Sequence, residues 1–238
     1  MEIPGAGLIA QNVERVRLQI AEALRRSGRQ SEEGCLIAVS KTVSEAQILQ
    51  AVDAGIMDFG ENKAQEARIK IPALDSFRLR WHMVGHLQRN KVKYIYDLVD
   101  RVHSLDTVEL AKEIHRESEK KGRVMPVLVQ VNISGDVAKY GVVPSRLEGL
   151  LKGLSNFDGI KIDGLMTVVP YHTDPEKSRV HYARLRELRD RILALNIERV
   201  DMKELSMGMT NDFHIAVEEG ATIVRVGTGI FGSRSKQG

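Results

Sequence analysis

Pro126-Val127-Leu128-Val129-Gln130-Val131 is an unbroken β-favouring run, too short for an ordinary helix and followed by a loop holding Gly135 and Gly141. A helical pattern begins at Ser145 beyond it, and a charged helical pattern over 106–121 precedes it. The same alternation continues in both directions. Toward the amino end, apolar runs lie at 98–102, 80–84, 56–59 and 36–40. The helical patterns between them cover 88–96, a stretch ending before Pro72, and one opening at Ser44 with Gln47 as a capping box and stopping near Gly55. Toward the carboxyl end, runs at 160–166, 204–207 and 222–226 are separated by helices over 175–195 and 212–219, and Ile230-Phe231 starts only a short turn. Leu8, Ile9, Val13, Val16, Ile20, Ala23 and Leu24 recur at helical spacing, so one more helix opens the chain.

Strand–helix alternation implies parallel pairing through right-handed crossovers, and eight units close a barrel. The 238 residues suit a fold that typically needs about 250. With no linker or composition break, the expectation is one α/β domain over 1–238: a (β/α)8 TIM-type barrel with an extra N-terminal helix.

Composition narrows the function classes. Hydrophobic residues make up 42% of the chain, enough for a sizeable core. No apolar run approaches the roughly 18–20 residues of a membrane helix, and Met1-Glu2-Ile3-Pro4-Gly5 lacks the pattern of a secretory signal. Cys35 is the single cysteine, which excludes an intramolecular disulfide and reads as a small hydrophobe beside the first strand. These features point to a cytoplasmic protein without a membrane partner. Net charge is +3, from 35 basic and 32 acidic residues, too balanced for a nucleic-acid partner. His82 and His86 are spaced i, i+4, but they flank Gly85 at a strand end with no evident third ligand, so no metal is expected.

Active groups of such barrels lie at the carboxyl ends of the strands. The first strand ends in Ser40-Lys41-Thr42. Lys41 has two readings: an ordinary surface lysine, or one facing the barrel mouth. Partial desolvation at the mouth keeps some amine neutral for attack on a carbonyl. Strands seven and eight end in Ser206-Met207-Gly208-Met209-Thr210 and Gly227-Thr228-Gly229, the pair of loops where barrels often seat a phosphate. Glycine admits the phosphate to the backbone N–H groups, and Ser206 and Thr228 could add hydroxyl donors. An amine on one side and a phosphate on the other match the length of a phosphorylated pyridine aldehyde. Arg225, inside strand eight, either joins a structural salt bridge or faces a ring nitrogen; being donor-only, it would leave that nitrogen unprotonated. Asn62 and Asn132 either line the pocket or form turns.

Ala38–Thr42, Phe59-Gly60-Glu61-Asn62, Trp81–Gln88, Leu205–Met209 and Val224–Gly232 together resemble the pyridoxal phosphate homeostasis protein family, in order from Ile37 to Arg234. This family shares its barrel with the amino-terminal domain of alanine racemase. The resemblance implies pyridoxal 5′-phosphate (PLP) as an internal aldimine on Lys41; Asn62, in its pocket-lining reading, is counted with the cofactor-binding candidates. The resemblance also implies phosphate contacts from Ser206, Gly227 and Thr228, with the Met207 and Gly208 backbone nearby, and Arg225 at the ring nitrogen. It places Lys139 on a loop beside the pocket. Thr210 stands where a serine is common, and His86 where some members carry proline.

The implied function is intracellular homeostasis and carriage of PLP without turnover, with other B6 vitamers and transient contacts with PLP-dependent apoenzymes as further partners. The rival is an amino-acid racemase of the alanine racemase barrel type, for which Tyr140, Tyr171 and His172 in the upper loops are acid/base candidates. A third reading, an enzyme acting on a phosphorylated metabolite, keeps the phosphate loops and drops the imine.

Overall fold

Ser44 accepts a hydrogen bond from the Gln47 N–H while the Gln47 side chain accepts from the Ser44 N–H, and this reciprocal cap starts the first crossover helix five residues after its strand ends. The computed structural model describes residues 7–32 and 34–232; Met1–Gly5 and Arg234 lie outside the described residues. Its strands are β1 (Cys35–Val39), β2 (Asp58–Glu61), β3 (Arg80–Met83), β4 (Arg101–Leu105), β5 (Met125–Gln130), β6 (Ile160–Met166), β7 (Val200–Ser206) and β8 (Ile223–Val226). They pair in chain order, all parallel, and β8 closes on β1. The expected barrel is the observed one.

The helices are α1 (Leu8–Arg26), α2 (Glu45–Asp53), α3 (Ala64–Ala73), α4 (Val92–Ile95), α5 (Val108–Lys121), α6 (Leu147–Leu154), α7 (Arg179–Ala194), α8 (Phe213–Glu218) and α9 (Thr228–Phe231). Each long one buries a single apolar stripe, such as Leu147, Leu151 and Leu154 of α6 or Tyr182, Leu185, Leu188 and Ile192 of α7. α9 has only four residues. The outer ring is completed instead by α1, which packs against α2, α8 and α9. The Asn12 amide donates to the Ile230 carbonyl at 2.8 Å, fastening that helix to the turn after β8.

The barrel lumen is divided. Ile37, Leu128, Met166 and Ile223 form a small apolar cluster separate from the larger core between sheet and helices. At the amino end, Arg80 pairs with Asp58, and Arg101 with Asp163 and Glu204, so ion pairs line that end of the barrel.

Two strands lie later than the apolar runs indicate. β2 spans Asp58–Glu61 rather than 56–59, and β4 spans Arg101–Leu105 rather than 98–102. Both carry polar side chains into the lumen, where partners on other strands satisfy them, so hydrophobicity alone misplaces them. Pro72, expected to follow a helix, sits in the last turn of α3.

Candidate functional site

Lys41 lies two residues past β1, at the carboxyl end of the barrel, and is half-buried. Its neighbours are held firmly. Ser40 is fully buried, and its hydroxyl donates to Glu61 at 2.7 Å. The Lys70 ammonium reaches up from α3 to donate to the Ser40 carbonyl at 2.7 Å and to Glu61 at 2.6 Å. Burial pushes the Glu61 carboxyl up, against the hydrogen bonds from Lys70 and Ser40. On the other side, Thr42 adopts φ 61°, a left-handed conformation unusual for a β-branched residue, with its N–H bonded to Glu66. A strained residue next to a fixed one commits the chain direction at Lys41.

Asn62 follows β2 directly, and its Oδ1 is buried without a hydrogen-bond partner among the described residues. A buried acceptor of this kind calls for a donor from outside the chain. Asn132 differs: its amide donates to the carbonyls of Asp136 and Lys139 and its oxygen accepts from Gly135, so it shapes its own loop.

Beyond β7 and β8, three donors meet. The Thr228 hydroxyl lies 3.3 Å from that of Thr210, which also accepts from the Gly229 N–H at 3.2 Å. Gly208 carries φ 92°, and a Cβ there would fall 2.6 Å from that of Ala216, so the loop lies flat against α8. Gly227 faces Val39 across the β8–β1 pairing. Met207 buries its side chain in the outer core and gives its N–H to Ile223, so it contributes no free donor.

Ser206 sits elsewhere than the sequence suggests. It is fully buried in the lumen, its Oγ 2.6 Å from Nη1 of Arg225 and 2.9 Å from Nδ1 of His103. With both bonds made, its hydroxyl is spent inside the barrel, and at the rim the hydroxyls that remain are those of Thr228 and Thr210. Thr210 is the residue the sequence reading did not single out; the signal was its place two residues after Gly208, in the same loop.

Arg225 is nearly sealed from solvent. It donates to Ser206 and, at 2.7 Å, to the Thr167 carbonyl, and no ion pair to a carboxylate is formed among the described residues. Burial lowers its pKa to about 10, so the guanidinium stays charged.

β7, β8, β1 and β2 are consecutive in the barrel. Thr210, Thr228, Lys41 and Asn62 therefore occupy one contiguous arc of its carboxyl rim, with the lysine beside the phosphate corner rather than across from it. Lys139, on the β5–α6 loop, extends its ammonium to within 3.4 Å of the Val168 carbonyl, and burial lowers its pKa. Tyr140 stacks on His86 with ring centroids 3.8 Å apart. Tyr171 is exposed, and the His172 carbonyl is tied to Asn211. A cavity of about 1270 Å³ opens between the β3–α4 loop and α5, lined by His86, Asp106, Arg116 and Tyr140. None of the arc residues lines it.

Residues 13–235 match the family model described as alanine racemase, N-terminal domain. The chain is 42% identical over 224 residues to the pyridoxal phosphate homeostasis protein of Aquifex aeolicus, covering 94% of this chain and 97% of that one. With its counterpart from Pseudomonas aeruginosa the identity is 37%, covering 95% and 96%. The structure of PipY from Synechococcus elongatus with PLP bound superposes with a TM-score of 0.82 at 33% identity, covering 94% of this chain and all of PipY. Among the described residues, no helix is long and apolar enough to cross a membrane.

Proposed function

Since the chain belongs to the pyridoxal phosphate homeostasis protein family, with the barrel of the alanine racemase N-terminal domain, we propose that it binds PLP at the β7–β8–β1–β2 arc and serves PLP homeostasis. The observation that carries this reading is the arc itself. It sets a lysine, a buried acceptor wanting a donor, and a corner of two hydroxyls and a glycine N–H side by side on one rim. When bound, PLP supplies an aldehyde that a lysine amine can bond covalently, a phosphate, and a ring nitrogen that accepts a hydrogen bond.

Each residue then has a task. Lys41 presents its amine, with Ser40, Glu61 and Lys70 holding the strand end behind it. Thr228 and Thr210 donate to the phosphate, and Gly227 keeps the approach open. Asn62 offers its Oδ1 to a ligand donor. Arg225, a donor only, serves an unprotonated ring nitrogen, which makes the bound cofactor a weak electron sink. That property suits carriage better than turnover. Delivery to PLP-dependent apoenzymes in the cytoplasm, and binding of other B6 vitamers, belong to the same reading.

The test is the visible absorbance of purified protein with added PLP, beside Lys41→Ala, before and after borohydride. A band seen in the wild type alone, with reduction fixing the label on Lys41, is the expected outcome. Identical spectra, or no band, would remove Lys41 from the site. Transfer of PLP to an apoenzyme faster than free release supports carriage; turnover of a D- or L-amino acid argues against it.

A further inference from the structure

Five polar side chains from five strands join across the barrel lumen. The Arg225 guanidinium (β8) donates to Ser206 Oγ (β7), which lies 2.9 Å from Nδ1 of His103 (β4). Nε2 of His103 lies 3.0 Å from Nδ1 of His82 (β3), and Nε2 of His82 lies 3.1 Å from Oδ1 of Asp58 (β2). β4 and β7 are not neighbours in the sheet, so the His103–Ser206 bond can run only through the interior. The run ends at Asp58, which Arg80 grips from the amino end of the barrel.

The two ends, with both imidazoles taken as neutral, fix the direction of every bond between them. An arginine has protons to give and no lone pair to accept with; an ionised carboxylate only accepts. Ser206 Oγ must therefore accept from Arg225, and at the other end Asp58 accepts the Nε2 proton of His82, which leaves His82 Nδ1, and in turn His103 Nδ1, as acceptors, the latter taking the Ser206 proton. His103 then carries its own proton on Nε2 and donates to His82 Nδ1, and His82 carries its proton on Nε2 and donates to Asp58. In this arrangement each imidazole is the Nε2–H tautomer. The opposite tautomers would set the lone pair of His82 Nε2 against the Asp58 carboxylate. The surroundings agree. Burial, chiefly, holds His103 well below the ordinary histidine range. Burial works to raise Asp58, but the hydrogen bonds from His82 and Arg80 outweigh it and bring it to about 2.

We propose that His103 and His82 are positioning residues: through this one-way chain they keep Ser206 as a permanent acceptor for Arg225, fixing the guanidinium for the ring nitrogen of bound PLP. The direction of the chain stands on the unliganded geometry alone; the role of Arg225 toward the ring rests on the PLP reading.

Two measurements separate these parts. Imidazole 15N shifts of the labelled apoprotein, assigned with His82→Gln and His103→Gln, should show both rings neutral and protonated on Nε2 at neutral pH. An Nδ1–H tautomer at either ring, or a charge on either, overturns the chain whether or not PLP binds. In the PLP-loaded protein, His103→Phe and Ser206→Ala should each weaken PLP by about tenfold, the scale of one charge-assisted hydrogen bond. Each should also shift the absorbance band, and the double variant should be no worse than either single one. If both variants bind PLP with wild-type affinity and an unmoved band, the positioning role is wrong even where stability falls. Should His103→Phe fail to fold, Ser206→Ala alone decides, because it leaves both histidines in place. A wild type that takes up no PLP would sink the PLP reading and with it the role of Arg225, leaving the tautomer result to stand separately.

Discussion

Nζ of Lys70 lies 2.6 Å from Oε1 of Glu61, in a pair whose carboxylate is fully buried and whose ammonium is nearly so. The other oxygen, Oε2, has no partner among the described residues, so Glu61 depends on Lys70 and Ser40 for its satisfaction. Lys70→Met should cost about 3–5 kcal/mol, the range for stranding a buried charge. Adding Glu61→Gln should recover a good part of that loss. Denaturant unfolding of the three variants checks the stability, and the rate of PLP labelling at Lys41 should fall in Lys70→Met. An unchanged rate would mean that the strand end does not need this support.

The phosphate corner predicts a selective effect. Replacing Thr210 and Thr228 by valine removes both hydroxyls with little change of shape. PLP affinity should fall roughly tenfold or more, since hydrogen bonds to a charged group contribute about 1.5–3 kcal/mol each. Pyridoxal, which lacks the phosphate, should bind the variant and the wild type alike. Equal losses for both ligands would place the phosphate elsewhere.

Stability should follow pH through His103. Its folded pKa is depressed, chiefly by burial, so near pH 6 the unfolded chain binds a proton that the folded chain refuses. Stability is therefore full above the unfolded value of about 6.5 and declines as pH falls below it, by at most about 1.4 kcal/mol per pH unit from this one group. His103→Gln should flatten the slope of the urea midpoint between pH 7 and 5. It should not abolish it, because burial also lowers His181, which contributes with the same sign. Asp58, brought down to about 2, adds its own loss only below about pH 4.

Thr42 offers the reverse experiment. Its φ of 61° costs a β-branched residue roughly 1–2 kcal/mol, and asparagine tolerates that region far better. Thr42→Asn should raise stability by about 1 kcal/mol in thermal or chemical unfolding. A destabilised variant would show that the threonine side chain makes a contribution larger than the strain.

The barrel was legible because each crossover repeats the same statement: a short apolar run, then an amphipathic stripe. Lys41 and Thr228 were legible for a related reason, as polar groups at strand ends of a fold that gathers chemistry there. His103 was not. The apolar run at 98–102 drew the fourth strand three residues early and left His103 in a supposed loop. Its true strand turns polar side chains toward partners on strands far away in sequence. Ser206 was seen, but its partners were not: a hydroxyl beside glycines reads as a phosphate donor, and only the closed barrel shows Arg225 and His103 bonded to it. Glu61 and Lys70 escaped notice because their pairing arises only when α3 packs beneath β2. Local pattern carries the scaffold; closure of the barrel decides which polar groups meet.

The closing of β8 on β1 has a temporal side. Lys41 is made by the ribosome long before Thr228, yet they share one rim only when the sheet is a ring. A nascent chain lacking the final strand has a lysine but no phosphate corner. Under the PLP reading, a reactive aldehyde would find no proper seat until β8 has joined the ring. Once seated, it would act as a clasp on the seam between first and last strand, with about 2.7 kcal/mol of added stability when free PLP is a hundredfold above its dissociation constant. Heating the protein with and without PLP would then report cofactor supply as a melting temperature.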